Sequence, residues 1–143
     1  MRDEQTIRVF VYGTLKPGES NFDRYCAAKV VEMQAAIVYG RLYDLPFGYP
    51  AMTAGTDCVY GYLLSFDDPT ILLNLDELED YQPDRPDDQN EYIREKIETF
   101  SPERQPLGLA WVYRMTPEMA ERLNGILLPH GKWMGKESNK QLY

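Results

Sequence analysis

The sequence predicts an α+β fold, a small mixed β-barrel with helices packed on its outside. Three observations lead there. Runs of β-branched and aromatic residues recur along the 143 residues, separated by dense Gly and Pro punctuation, which reads as five or more short strands. Two cap-then-proline pairs, Asp68-Pro69 and Thr116-Pro117, each announce a helix. The third is Tyr-Gly-x-Leu, which occurs at 12–15, 39–42 and 60–63. The unequal spacing excludes a repeat architecture, and glycine inside strands marks tight bends or close backbone approach, as in a small closed sheet.

The elements follow in chain order. Ile7 to Leu15 reads as a buried strand carrying Gly13, broken by Lys16-Pro17-Gly18. Asn21 to Val30 reads as a short helix, with Phe22, Tyr25 and Cys26 on one face. Val31 to Asp44 is strand. Leu45 to Pro50 is too rich in Pro and Gly for regular structure. Cys58 to Phe66 is another strand. A helix starts at Asp68 (N-cap) and Pro69 (first helical position) and runs to about Tyr81. Gln82 to Glu91, with two prolines and five charges, is an exposed loop. Tyr92 to Phe100 and Gly108 to Met115 pair as strands. Thr116-Pro117-Glu118 opens the last helix, and the chain after Asn124 is irregular. No composition shift marks a domain boundary, so residues 1–143 are expected to form a single domain.

Composition excludes several functions. Fifteen basic residues against 23 acidic ones leave a net charge of −8, the wrong sign for a nucleic-acid footprint or a polybasic membrane surface. The N-terminus lacks an apolar signal core and no apolar run reaches the ~20 residues of a membrane span, so a soluble, cytoplasmic protein is expected. One histidine, His130, and two cysteines, Cys26 and Cys58, are too few for a His or thiolate metal site. No metal and no cofactor are expected, and the thiols are expected to be free. A Cys26–His130 nucleophile pair or a Ser-His-Asp system has no supporting motif. Catalysis must therefore rest on carboxylates, hydroxyls, amines or backbone.

Two segments fit that requirement. At ~100° per residue, Ile71, Leu72, Leu75 and Leu78 form an apolar stripe on the predicted 69–81 helix. Asp76, Glu77 and Asp80 fall outside it, as solvated charges. Glu79 falls on the core side, between Leu72 and Leu75. A carboxylate facing a core is costly unless it is paired, hydrogen-bonded or protonated. Glu79 is then either half of a structural ion pair, with Arg94 or Arg41, or a proton-transfer group whose pKa is raised by burial. The second segment is Tyr12-Gly13-Thr14-Leu15. A strand ending at a Gly-containing loop either makes an ordinary turn or leaves backbone N–H groups free to hold an anion. The spacing is not that of a phosphate loop.

These residues resemble a known family. Val9-Phe10-Val11-Tyr12-Gly13-Thr14-Leu15-Lys16-Pro17-Gly18 is similar to the opening signature of the gamma-glutamylcyclotransferase-like family, which includes gamma-glutamylamine cyclotransferases. Gly40-Arg41-Leu42-Tyr43, Tyr49-Pro50-Ala51, Val59-Tyr60-Gly61-Tyr62-Leu63, Leu75-Asp76-Glu77-Leu78-Glu79-Asp80-Tyr81, Tyr92-Ile93-Arg94 and Ala110-Trp111-Val112-Tyr113 continue the resemblance in the family's order. It implies a mixed barrel with flanking helices. It also implies substrate binding by the backbone amides of Tyr12, Gly13, Thr14 and Leu15, and a general acid/base at Glu79, with Tyr92 nearby. The implied reaction converts a gamma-glutamyl amine, amide or dipeptide to 5-oxoproline and the free amine, without a cofactor. The partner is then a small gamma-glutamyl molecule. A non-catalytic domain binding an amino-acid-like ligand, or an amide hydrolase using the same pocket, are the alternatives. Asp80 stands where the family often has glycine, and Gly131-Lys132-Trp133 resembles a Gly-x-Trp ending in the family.

Overall fold

A computed structural model describes residues 6–16, 19, 21–26, 29–86 and 89–133. In chain order the elements are β1 (Ile7–Val11), α1 (Phe22–Tyr25), β2 (Val30–Asp44), β3 (Pro50–Phe66), α2 (Ile71–Leu78), β4 (Ile93–Phe100), β5 (Pro106–Arg114), α3 (Pro117–Arg122) and β6 (Ile126–Leu127). The strands run in the order β3-β1-β5-β4-β2-β6, and β2 pairs with β3 as well. Five strands thus close into a ring, with β6 added to β2. The β1–β5 pairing is parallel and the others are antiparallel. One register pair, Ile37↔Phe100, joins β2 to β4, so the ring is only roughly closed there.

The predicted α+β class and ring are therefore present, with local revisions. The strand expected from Cys58 starts at Pro50, and Pro50 itself is the first residue of β3. Proline is tolerated at a strand's first position, where its missing N–H leaves no gap in the ladder. The long β2–β3 hairpin carries a register shift: Gly40 faces Asp57 while Arg41 faces Thr53, so β3 bulges over 54–56. β1 ends at Val11, four residues before the expected end, and α1 is a single turn rather than the expected 21–30 helix. α2 begins at Ile71 because Asp68 Oδ1 accepts from Thr70 N (3.0 Å) and Thr70 Oγ1 (2.7 Å), closing a turn before the helix. Thr116 caps α3 as expected, accepting from Met119 N at 3.1 Å. The irregular tail contains the two-residue β6.

Glycines sit in the strands for lack of space. A Cβ on Gly61 would lie 2.1 Å from the Val11 carbonyl oxygen, and one on Gly40 2.8 Å from the Thr53 oxygen. The end of β1 (9–11) and the end of β3 (63–66) are buried on both faces, which explains their near-continuous apolar runs. Val9, Val11, Leu64 and Phe66 pack with Ile71 and Leu75 of α2 on the outer face. Phe10, Val38, Leu42, Met52, Leu63 and Val112 fill the ring. Cys26 and Cys58 are free thiols, and burial pushes the Cys26 thiol up to about 11, away from nucleophilic use. His130 lies on an exposed turn, where its Nδ1 accepts from Lys132 N. Among the described residues no helix is long and apolar enough to cross a membrane.

Candidate active site

β1 carries the chain to the ring's edge at Val11, and the next residues turn away from the ladder. Lys16 N donates to Gly13 O (3.0 Å), and Asn21 pins the loop twice, through N to Thr14 O (2.8 Å) and Nδ2 to Thr14 Oγ1 (2.9 Å). Among the described residues, no hydrogen bond takes the N–H of Gly13, Thr14 or Leu15. Gly13 packs against the Pro50 ring, and a Cβ there would lie 2.7 Å from Pro50 Cγ and Cδ. The loop borders a cavity of about 180 Å³. That is small beside the ~300–1,000 Å³ of sites for drug-sized ligands.

Glu79 lines the same cavity. It is not inside the helix but at its C-cap, with φ −89° and ψ 5°, and its N–H still donates to Leu75 O at 2.9 Å. The near-helical geometry keeps the side chain on the face that the 100° period assigns to it. The next residue, Asp80, has φ +54° and ends the helix. This is the left-handed region that favours glycine, and Asp adopts it at low cost, which accounts for Asp80 where the family often has glycine. Burial, and then the charge of Glu91, push the Glu79 carboxyl up to about 8.

The ion pair considered for Glu79 forms with its neighbour instead. Arg94 Nε lies 2.9 Å from Asp76 Oδ1, and the Tyr113 hydroxyl donates to the same oxygen at 2.7 Å. The Arg94 Nε–H is not aligned for a hydrogen bond, so this is a contact between charges. Arg94 also lies over the rings of Trp111 (4.5 Å) and Tyr81 (5.6 Å). Arg41 is exposed. Asp76 was expected to be solvated and is buried; this is a correction. It lies about 40° beyond Leu72 on the helix, on the flank of the stripe, and β4 and β5 bring Arg94 and Tyr113 to meet it. Among the described residues Glu79 has no ion-pair partner.

Tyr92 reaches the cavity wall, but its hydroxyl donates to Pro50 O (2.6 Å), not to Glu79. Burial raises its pKa well above the ordinary tyrosine value. Tyr12 is buried with its ring among the residues filling the barrel. Its hydroxyl donates to Tyr113 O (2.6 Å) and accepts from Met52 N (3.2 Å). Burial, reinforced by Glu79, raises its pKa too, so both phenols stay neutral.

Among the wall residues that sequence reasoning missed are Glu91 and Tyr49. The 82–91 segment, read as an exposed loop, is anchored by buried Asn90. The Asn90 Oδ1 accepts from Gln82 N and Arg85 Nε (both 2.9 Å), and its Nδ2 donates to Gln82 O. That anchor sets Glu91 beside the cavity, where Tyr49 Oη donates to Glu91 Oε2 at 2.6 Å. An asparagine in a charged, proline-containing loop was the available signal, since Asn commonly closes loops on their own backbone. No group of three or more His, Cys, Asp or Glu among the described residues is placed to hold a metal. The cavity instead joins a proton-holding carboxyl to free backbone donors, an arrangement suited to proton transfer next to a bound anion.

Comparison with known proteins identifies the family. Residues 9–135 match the family "Gamma-glutamyl cyclotransferase, AIG2-like". A relative from Halalkalibacterium halodurans is 36% identical over 106 residues, covering 73% of this chain and 86% of its own. One from Vibrio cholerae is 35% identical over 125 residues, covering 87% and 93%. Both carry the name "Putative gamma-glutamylcyclotransferase". A solution structure from Arabidopsis thaliana has the same fold, with TM-score 0.64 at 21% identity, covering 96% of this chain and 83% of that one. The chain belongs to the gamma-glutamyl cyclotransferase, AIG2-like family and is a gamma-glutamylcyclotransferase-like enzyme.

Proposed function

We propose that the protein converts a gamma-glutamyl amine or amide to 5-oxoproline and the free amine, with Glu79 as the general acid/base. The observation that carries this is the unpaired Glu79 carboxyl, raised to about 8, in a cavity bordered by the free N–H groups of Gly13–Leu15. Those N–H groups hold the substrate's α-carboxylate. The ammonium next to it then lies by Glu79, which takes its proton. The freed α-nitrogen attacks the γ-carbonyl carbon and a C–N bond closes the ring. Glu79 returns the first proton to the leaving nitrogen as its bond breaks, and the second proton of the α-nitrogen passes over the same carboxylate to the departing amine, which leaves as an ammonium. No water is consumed and no enzyme nucleophile is needed. Holding the substrate folded back on itself supplies proximity, and proton transfer by one positioned group contributes ~10²–10⁴-fold. Cytoplasmic location and action without a cofactor belong to this reading.

The test is Glu79→Gln, which keeps size and shape but cannot exchange a proton. Screened against gamma-glutamyl amides with 5-oxoproline as readout, the variant should lose ~10²-fold or more in kcat while circular dichroism stays unchanged. Full turnover by Glu79→Gln would refute the assignment. Mass spectrometry separates cyclisation from hydrolysis, because hydrolysis adds one water to the products.

A further inference from the structure

We infer that Glu91, fixed by the Tyr49 hydroxyl, forms the subsite for the leaving amine and selects amines that carry a second positive charge. This rests on the cyclisation reading above.

The argument is one of charge balance and position. Two carboxylates, Glu79 and Glu91, line the cavity, and no Lys, Arg or His among the described residues does. The substrate's α-ammonium answers Glu79. Among the described residues Glu91 then has no counter-charge, and the ligand can bring one. Glu91 and Tyr49 are half-buried, whereas Pro50 and Tyr92 are buried, so the first pair keeps contact with solvent. A cavity of about 180 Å³ holds a glutamyl head group. The amine's substituent must leave past that pair. There it meets the Glu91 carboxylate, held by Tyr49 at 2.6 Å, and an apolar ledge. The Phe47 ring, 53% exposed, stands 5.9 Å from the Tyr49 ring, which stands 6.4 Å from Tyr92. A carbon stem resting on the ledge with a cation at Glu91 satisfies both surfaces. A leaving group bearing a carboxylate, as in a gamma-glutamyl dipeptide, would set like charges together.

The experiment compares gamma-glutamyl amides of putrescine, n-butylamine and gamma-aminobutyrate, which share a chain length and differ in terminal charge. Wild-type kcat/KM should favour putrescine over butylamine by about fivefold, the scale of a partly exposed charge pair. It should disfavour gamma-aminobutyrate by a similar factor, and both ratios should shrink at high salt. Glu91→Gln should bring the ratios close to one. Unchanged ratios in Glu91→Gln, or an equal loss on all three amides, overturn the inference. Calorimetric affinities for Glu79→Gln and for the double variant Glu79→Gln/Glu91→Gln read the same subsite without turnover. A putrescine preference in the first that is lost in the second supports it even if cyclisation fails. Equal affinities, or no binding, overturn it.

Discussion

Asp76 and Glu79 lie three residues apart at the end of one helix and meet opposite surroundings. Asp76 faces the β4–β5 side, where Arg94 and Tyr113 converge on one oxygen. Glu79 faces the cavity, where its nearest charged influence is another carboxylate, Glu91. Both are taken from water. One has a cation beside it, Arg94. The other is uncompensated and holds its proton to about pH 8. One arginine thus sets two similar side chains apart: Asp76 has a cation beside it, and Glu79, the acid/base of the proposed reaction, has no ion-pair partner among the described residues.

Swapping the two roles by mutation gives the sharpest contrast. Glu79→Gln should cost ~10²–10⁴-fold in turnover with little loss of stability. Gly13→Ala strikes the other border of the cavity: the added Cβ meets the stiff Pro50 ring, whose carbonyl also holds Tyr92. Displacing the loop by a few tenths of an ångström to 1 Å should cost up to ~10²-fold in kcat/KM. Asp76→Ala should act on the fold instead. It strands the Arg94 charge, half of a pair whose side chains are 17% and 11% exposed, at about 3 kcal/mol by urea denaturation. The folded fraction should still turn over. Lost turnover with intact stability in Asp76→Ala would reverse the assignment of the two acids.

The smallest effects are in pH. In the proposed reaction the free enzyme needs Glu79 ionised to receive the ammonium proton, so kcat/KM should rise with pH through about 8 on its acid side. In kcat the limb should lie lower, because bound ammonium favours the carboxylate. Glu91→Gln removes a like charge and should also shift the kcat/KM limb down. Stability follows the opposite slope. Folded Glu79 keeps its proton up to about 8, whereas an unfolded glutamate loses it near ~4.3. Between those values the folded state binds more protons, so this group's contribution falls as pH rises. Glu79→Gln should therefore raise Tm at pH 9 and leave it nearly unchanged at pH 4. A Tm lowered by the substitution at both pH values would show Glu79 to be a structural anion.

What local sequence decided is what local physics decides. β-branched runs between Gly and Pro gave strands, the Thr116-Pro117 pair gave a capped helix, and the 3.6-residue period put Glu79 inward, even though it proved to be the cap and not the helix interior. Steric crowding explains the strand glycines, as their position inside strands suggested. Periodicity stops at the edge of one helix, however. It could not distinguish Asp76 from a solvated charge, because the partners that bury it, Arg94 and Tyr113, come from strands paired across the ring. It could not bring Glu91 and Tyr49 together, residues 42 apart that meet through one hydrogen bond. Direction of a side chain is set by a few backbone dihedrals, which neighbours along the chain govern. Which charge finds a counter-ion is set by strand register and loop anchoring across the fold, and that choice gave Asp76 a cation and left Glu79 facing the cavity.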